Sequence, residues 1–245
     1  YGDIIHNETV IGRYRAQGVL SVDDVRDVPV GKTLVIRAHG APRAVFELAE
    51  ARGLHVIDAT CPFVSRIHRI VEGASNRGRK VIVLGNAEHP EVIGIAGWCD
   101  GAVVYRDVAE MKADDANVSI VVQTTYDRKK FEDSLERIRE LYPNSEIYNT
   151  ICRATEDRQK AARKLAEISD IMVVIGDMKS SNTKELKKIC SMYTDTVMVQ
   201  TEDELVMSKF IDKQRIGVIA GASTPDDVIS AVIQKLDKER TLNDE

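Results

Sequence analysis

Short β-branched runs alternate with longer amphipathic stretches along the chain, and this alternation limits its folds more than any other feature. LVIRA (34–38), HVIDA (55–59), VIVLG (81–85), SIVVQ (119–123), IMVVIG (171–176) and RIGVIAG (215–221) read as strands covered on both faces. Helical patterns lie between them. Residues 63–76 place Phe63, Ile67, Ile70, Val71 and Ala74 on one face, and 154–168 and 225–237 carry similar stripes. Such alternation predicts parallel sheets flanked by helices.

A repeat emerges when cysteines serve as markers. Cys61, in DATCPFVSRIH, and Cys152, in NTICRATEDRQ, each end a strand and open a helix. Gly85 follows Cys61 by 24 residues and Gly176 follows Cys152 by 24. Each glycine opens a polar loop, NAEHPE or DMKSSN, and each unit has a second strand and polar loop, QTTYD (123–127) or GASTPDD (221–227). IIHNETV (4–10) and LVIRAHGAP (34–42) read as the two strand-plus-loop elements of an earlier unit. The expected organisation is therefore three lobes, 1–60, 61–151 and 152–237, with a tail at 238–245. On this design the first lobe's cysteine lies about 28 residues before His6, upstream of Tyr1, as Cys61 lies 28 before His89.

A net charge of −5 without a long basic run gives no footprint for nucleic acid or for a membrane surface. No apolar run nears the roughly 20 residues that span a bilayer, so a cytoplasmic location is expected, or a plastid stroma if a transit peptide preceded the chain. The four cysteines, Cys61, Cys99, Cys152 and Cys190, form no CxxC pair. Helix N-termini favour thiolates at Cys61 and Cys152. Cys99, in GWCDG, and Cys190, in ELKKICSMY, lack that setting and read as packing residues.

Loops that leave parallel strands and enter helices are where α/β proteins bind ligands, and His6, His39 and His89 all occupy such loops. His55 and His68 do not, and read as solvated. Glu91, just past Pro90, is a helix-entry acid or a proton donor. Thr124, Thr125, Ser180, Ser181, Asn182 and Ser223 are candidate helix caps which, with the histidines, can surround a diphosphate. Neither a P-loop nor GxGxxG occurs.

The chain resembles the 4-hydroxy-3-methylbut-2-enyl diphosphate reductases, the IspH or LytB family, through HN (6–7), AHG (38–40), DATCP (58–62), HPEV (89–92), QTT (123–125), TICRAT (150–155), SSN (180–182) and GAS (221–223). The resemblance implies three pseudo-equivalent small α/β lobes arranged cloverleaf-like around a central cluster and substrate site. It implies a [4Fe–4S] cluster with one iron not bound by cysteine, held by Cys61, Cys152 and a third cysteine of a GFCxGV-type motif upstream of Tyr1. Diphosphate binding falls to His6, His39, His89, Thr124, Ser180, Ser181, Asn182 and Ser223, and proton delivery to Glu91. The implied reaction removes the C4 hydroxyl reductively, giving isopentenyl and dimethylallyl diphosphate with electrons from flavodoxin or ferredoxin. With two of three expected cluster ligands, the chain by itself is expected to hold a cluster poorly and to be inactive. Two other readings stand beside this one: a diphosphate-binding module without redox chemistry, and a zinc hydrolase, which lacks HxxE-type helix spacing.

Overall fold

A computed structural model of the chain describes residues 1–243, with nine strands and nine α-helices. All strand pairings are parallel, as the alternating pattern requires. The described chain forms two compact units. One comprises Tyr1–Ile5 and Tyr14–Cys152, the other His6–Arg13 and the segment from Arg153 onward.

The first unit holds two sheets. β1 (Thr33–Ile36) pairs with β2 (His55–Asp58), and α2 (Arg43–Ala51) connects them. The larger sheet has the order β4-β3-β5-β6, from β3 (Lys80–Leu84), β4 (Val103–Tyr105), β5 (Val118–Val122) and β6 (Ser145–Ile147). Both of its faces are buried. Ile82, Leu84, Val118, Ile120 and Val122 pack on Phe131, Ile138 and Leu141 of α5 (Arg128–Asp133) and α6 (Leu135–Leu141). Val81, Val83 and Val121 point the other way, onto α3 (Pro62–Asn76) and α4 (Pro90–Ala96). Strands covered on both sides read as unbroken apolar runs, which explains why VIVL and SIVV stand out.

The second unit contains the sheet β8-β7-β9, made by β7 (Ile171–Ile175), β8 (Thr196–Val199) and β9 (Ile216–Ala220). Ile171, Val173 and Ile175 face Val228, Val232 and Leu236 of α9 (Asp226–Asn243). Met172 and Val174 face Ala162 and Ala166 of α7 (Arg153–Ala166) and Leu186 and Ile189 of α8 (Ser181–Cys190). The short α1 (Glu8–Ala16) begins in this unit. The sequence repeat has a topological counterpart: β3 lies between β4 and β5 as β7 lies between β8 and β9.

Several details differ from the sequence expectations. The edge strands β4, β6 and β8 carry only three or four residues, mostly part-exposed, too few for a period to register. IIHNETV forms no strand: residues 4–6 bend, and the Asn7 side chain accepts the Val10 N–H, committing Glu8 onward to α1. On α3 the buried stripe is Val64, Ile67, His68, Val71 and Ala74, whereas Phe63 is exposed beside the helix entry. The last helix continues past 237 through Asn243, so most of the proposed tail at 238–245 is helical; residues 244–245 lie outside the described residues.

The two-sided core sets a stability contrast. Ile120 is fully buried, whereas Val103 on the edge strand remains 43% exposed. Ile120→Ala is expected to cost about 2–5 kcal/mol and Val103→Ala about 1 kcal/mol or less, read from urea unfolding midpoints; equal losses would contradict the core placement.

Candidate active site

The candidate site residues of the first unit sit where strands of both its sheets end. β1 leads into a tight turn in which Arg37 O accepts the Gly40 N–H at 2.9 Å, placing His39 at the turn's third position. Gly40 has φ +73°, a left-handed conformation that suits glycine. β3 leads through Gly85 into the loop that ends at His89, the N-cap of α4. There the His89 Nδ1 accepts the Glu91 N–H at 3.2 Å. In a neutral ring that bond leaves the proton on Nε2, making it a donor. The His39 and His89 rings meet edge to face with centroids 5.3 Å apart.

Glu91 lies in the first turn of α4 and is 2% exposed. Its Oε1 accepts the Thr124 N–H at 2.7 Å, and its Oε2 lies 2.6 Å from Thr124 Oγ1, which donates to it. Burial pushes the carboxyl's pKa up, and the two Thr124 hydrogen bonds partly oppose that shift. A buried acid biased toward its neutral form and touching a hydroxyl is equipped to hold and pass a proton. Thr124 itself is buried, just beyond β5.

Both marker cysteines are fastened to these strand ends by their own backbones. The Cys61 N–H donates to Ala38 O at 2.9 Å, and the Cys152 N–H to Thr124 O at 3.2 Å. In each case the acceptor is the second residue after a neighbouring strand, β1 or β5. Thr150 adds a clasp, accepting the Val122 N–H at 2.8 Å and donating its hydroxyl to Val122 O. Cys61 is the N-cap of α3 with Pro62 behind it, and Cys152 directly precedes α7. Both are part-exposed and outside any disulfide. Two accessible thiols at helix N-termini are a donor set suited to iron. Cys99 and Cys190 differ, because burial pushes each thiol up to about 11. They behave as packing residues.

In the second unit, the Asn7 Nδ2 donates to Ser223 O at 3.0 Å, and the Ser223 hydroxyl donates to His6 O at 3.1 Å. The His6 backbone is thereby tied to the loop after β9. Asp177 holds the chain two residues further on, accepting the Glu8 N–H at 3.0 Å, and also accepts the Lys179 N–H at 2.7 Å. Ser180 is the N-cap of α8 and accepts the Thr183 N–H; Ser181 opens the helix, part-exposed. Asn182 is 6% exposed, and its Nδ2 is buried with no hydrogen-bond partner among the described residues. A buried amide left unmatched is a donor available to a ligand. Thr183 packs so closely on Gly176 and Gly221 that a Cβ at either would lie within 2.6 Å of its hydroxyl.

Sequence reasoning missed several residues that build these loops. Gln123 accepts the Asn86 N–H at 3.0 Å, linking the loop after β3 to the end of β5. Asp177 and Asn7 anchor the segment around His6; QTT and HN contained two of the three, and only their helix-capping chemistry could have flagged them. His68 corrects the bland reading given above. It is 4% exposed, stacked on Trp98, and its ring lies directly against Gly40. A helical position four residues from Val64 put it on the buried face.

Comparisons with known proteins agree on the lineage. The family model described as LytB protein matches residues 1–237. The 4-hydroxy-3-methylbut-2-enyl diphosphate reductase of Clostridioides difficile is 34% identical over 96% of this chain and 86% of its own length. The reductase of the same name from Caldanaerobacter subterraneus is 39% identical, covering 96% and 84%. Among solved structures, the E-1-hydroxy-2-methyl-but-2-enyl-4-diphosphate reductase from Plasmodium falciparum superposes with a TM-score of 0.90 at 26% identity, covering 95% of this chain and 76% of that one. A structure of (E)-4-hydroxy-3-methyl-but-2-enyl diphosphate reductase, titled the terminal enzyme of the non-mevalonate pathway, gives 0.66 at 34% identity, covering 97% and 86%. With a family match over nearly its whole length and relatives above 30% identity, the chain belongs to the LytB family.

Proposed function

We propose that this chain, once a third cluster cysteine is supplied, carries out the reductive dehydroxylation of (E)-4-hydroxy-3-methylbut-2-enyl diphosphate, giving isopentenyl and dimethylallyl diphosphate as the terminal step of the non-mevalonate pathway. The balance is fixed by chemistry: two electrons and two protons enter, the C4–O bond breaks, a C–H bond forms, and the oxygen leaves as water. Family membership supports the substrate, and the Glu91–Thr124 pair is the observation that carries the mechanism.

Proton delivery follows from the pair's geometry. The Thr124 N–H occupies Glu91 Oε1, so the proton of the neutral acid sits on Oε2. The 2.6 Å contact then runs from carboxyl to hydroxyl, and the Thr124 hydroxyl hydrogen is released to a neighbouring acceptor. The acid recharges the hydroxyl while the leaving oxygen takes its proton. His39 and His89, together with His6, serve as donors to the diphosphate, and Ser180, Ser181, Asn182 and Ser223 add hydroxyl and amide donors. Cys61 and Cys152, with a third cysteine lying outside residues 1–245, are proposed ligands of a [4Fe–4S] cluster with one iron not bound by cysteine. When bound, that cluster supplies the electrons and a Lewis-acidic iron for the alcohol oxygen. Flavodoxin or ferredoxin is the proposed electron source. No helix among the described residues is long and apolar enough to cross a membrane.

Glu91→Gln in the full chain is expected to lower turnover by about a hundredfold or more while the visible absorption of the cluster is unchanged; unaltered turnover would remove Glu91 from the mechanism. Cys61→Ser and Cys152→Ser should each abolish that absorption after anaerobic reconstitution, and Cys190→Ser should leave it intact. Retention by the first two would favour a diphosphate-binding module without redox chemistry.

The acid's titration gives a further check. Because the folded-state pKa of Glu91 is raised above 4.5, its contribution to stability is full below that pH and is lost as pH rises through the folded value. Thr124→Val deletes the hydroxyl bond that holds the pKa down, so the carboxylic-acid C=O stretch in the infrared should persist to higher pH than in the parent. A shift to lower pH would contradict the assignment.

A further inference from the structure

His39, a proposed diphosphate donor, sits in a four-residue turn between β1 and α2. What holds that turn is a set of contacts from α3 and from the end of α4. A Cβ on Gly40 would lie 2.5 Å from His68 Cε1 and 3.2 Å from Thr60 Cγ2, so the imidazole fills the space directly over the peptide after His39. The His68 ring stacks on Trp98 with centroids 5.1 Å apart and planes 16° apart. Trp98 in turn donates its Nε1–H to Ala41 O at 2.9 Å. The turn is thus held at Gly40 by one ring and at Ala41 by the other.

The same turn is pressed from α4. A Cβ on Gly94 would meet His39 O at 3.4 Å, and Gly97 lies so close to Pro42 that a Cβ would fall 2.4 Å from its Cβ. Gly97 O also accepts the Arg43 N–H at 3.2 Å. Since α4 begins at His89, these contacts fix the spacing between the His39 and His89 rings.

Packing alone does not call for a histidine at position 68. Its Nε2 is buried with no hydrogen-bond partner among the described residues, an unfavourable state for a polar group. Leucine or phenylalanine would fill the volume without that cost. A planar ring that stacks on Trp98 and still admits a left-handed Gly40 at its edge is what the site has instead. Burial keeps the ring neutral, with its pKa lowered to about 4, so it presses on the turn without bringing charge beside it.

We infer that His68 and Trp98 act as positioning residues for His39, setting the His39–His89 spacing and through it the affinity for the diphosphate group of the substrate. The inference rests on the reading of His39 as a diphosphate donor. The Glu91 carboxyl is additionally fixed by two hydrogen bonds from Thr124 at the end of β5, so loosening the stack acts more on binding than on proton delivery.

The test uses the protein with the third cluster cysteine present and its cluster bound, and inorganic diphosphate as probe. Trp98→Phe keeps an aromatic ring for the stack and deletes the bond to Ala41 O; His68→Leu keeps most of the volume and deletes the stack. Each should raise the diphosphate Kd and the substrate KM about tenfold, in keeping with the steep dependence of binding on donor placement, while kcat and the cluster absorption stay within about a factor of two of the parent. Lowered thermal stability with unchanged Kd and KM in both variants would show a purely structural role and overturn the inference. His39→Ala separates the two layers. If it loses diphosphate binding while Trp98→Phe and His68→Leu do not, only the positioning role falls; if it binds diphosphate normally, the donor reading of His39 falls and the positioning role with it.

Discussion

Parallel pairing of β3 with β5, in the register Leu84 opposite Val122, is the constraint on which the candidate chemistry of the first unit depends. Parallel strands end on the same edge, so the loop that delivers His89 and Glu91 and the loop that delivers Thr124 emerge side by side. Gln123 then ties the two loops by accepting the Asn86 N–H, and the carboxyl of Glu91 closes on both the N–H and the hydroxyl of Thr124. A slip of one residue would turn Thr124 to the opposite face of the sheet and leave a buried carboxylate with no partner.

The same rule of parallel strand ends organises the cysteines. Cys61 and Cys152 are each anchored by a backbone N–H bound to a carbonyl just beyond a neighbouring strand. Fixing the backbone and leaving the thiol part-exposed is a suitable way to build a ligand that must reach a metal. The contrast with Cys99 and Cys190 is one of surroundings, since burial raises their thiols to about 11 and removes the thiolate character that iron binding requires.

In the second unit the polar loops follow β7 and β9, and their residues divide into those that satisfy backbone groups and those that do not. Ser180 and Asn7 cap helices, and Asp177 and Ser223 bind backbone groups of the segment around His6. Asn182 carries a buried amide nitrogen without a hydrogen-bond partner among the described residues. That division matters because the sequence treats all of them alike, as small polar residues near helix starts. Only the hydrogen-bond inventory separates caps from donors left for a ligand.

Much of the architecture was legible in the residues themselves. Apolar runs at 81–85, 119–123 and 171–176 are unbroken because both faces of those strands are buried, and the two cysteines announce strand-to-helix junctions through the residues around them. The family resemblance pointed to His39, His89, Glu91 and Thr124 before any geometry was known. Edge strands of three or four residues, the helical start at Glu8 and the length of the last helix were not legible, because short or capped segments carry too little periodicity. His68 shows most clearly what tertiary structure decided. Helical spacing put it on an apolar face, where a histidine reads as incidental, whereas its meaning comes from Gly40 and Trp98, distant in sequence and adjacent in space. Sequence by itself determined which chemical groups the loops carry, since residue type fixes donor, acid and thiol; the tertiary structure decided which of them are buried, paired or braced, since those properties depend on neighbours that only folding supplies.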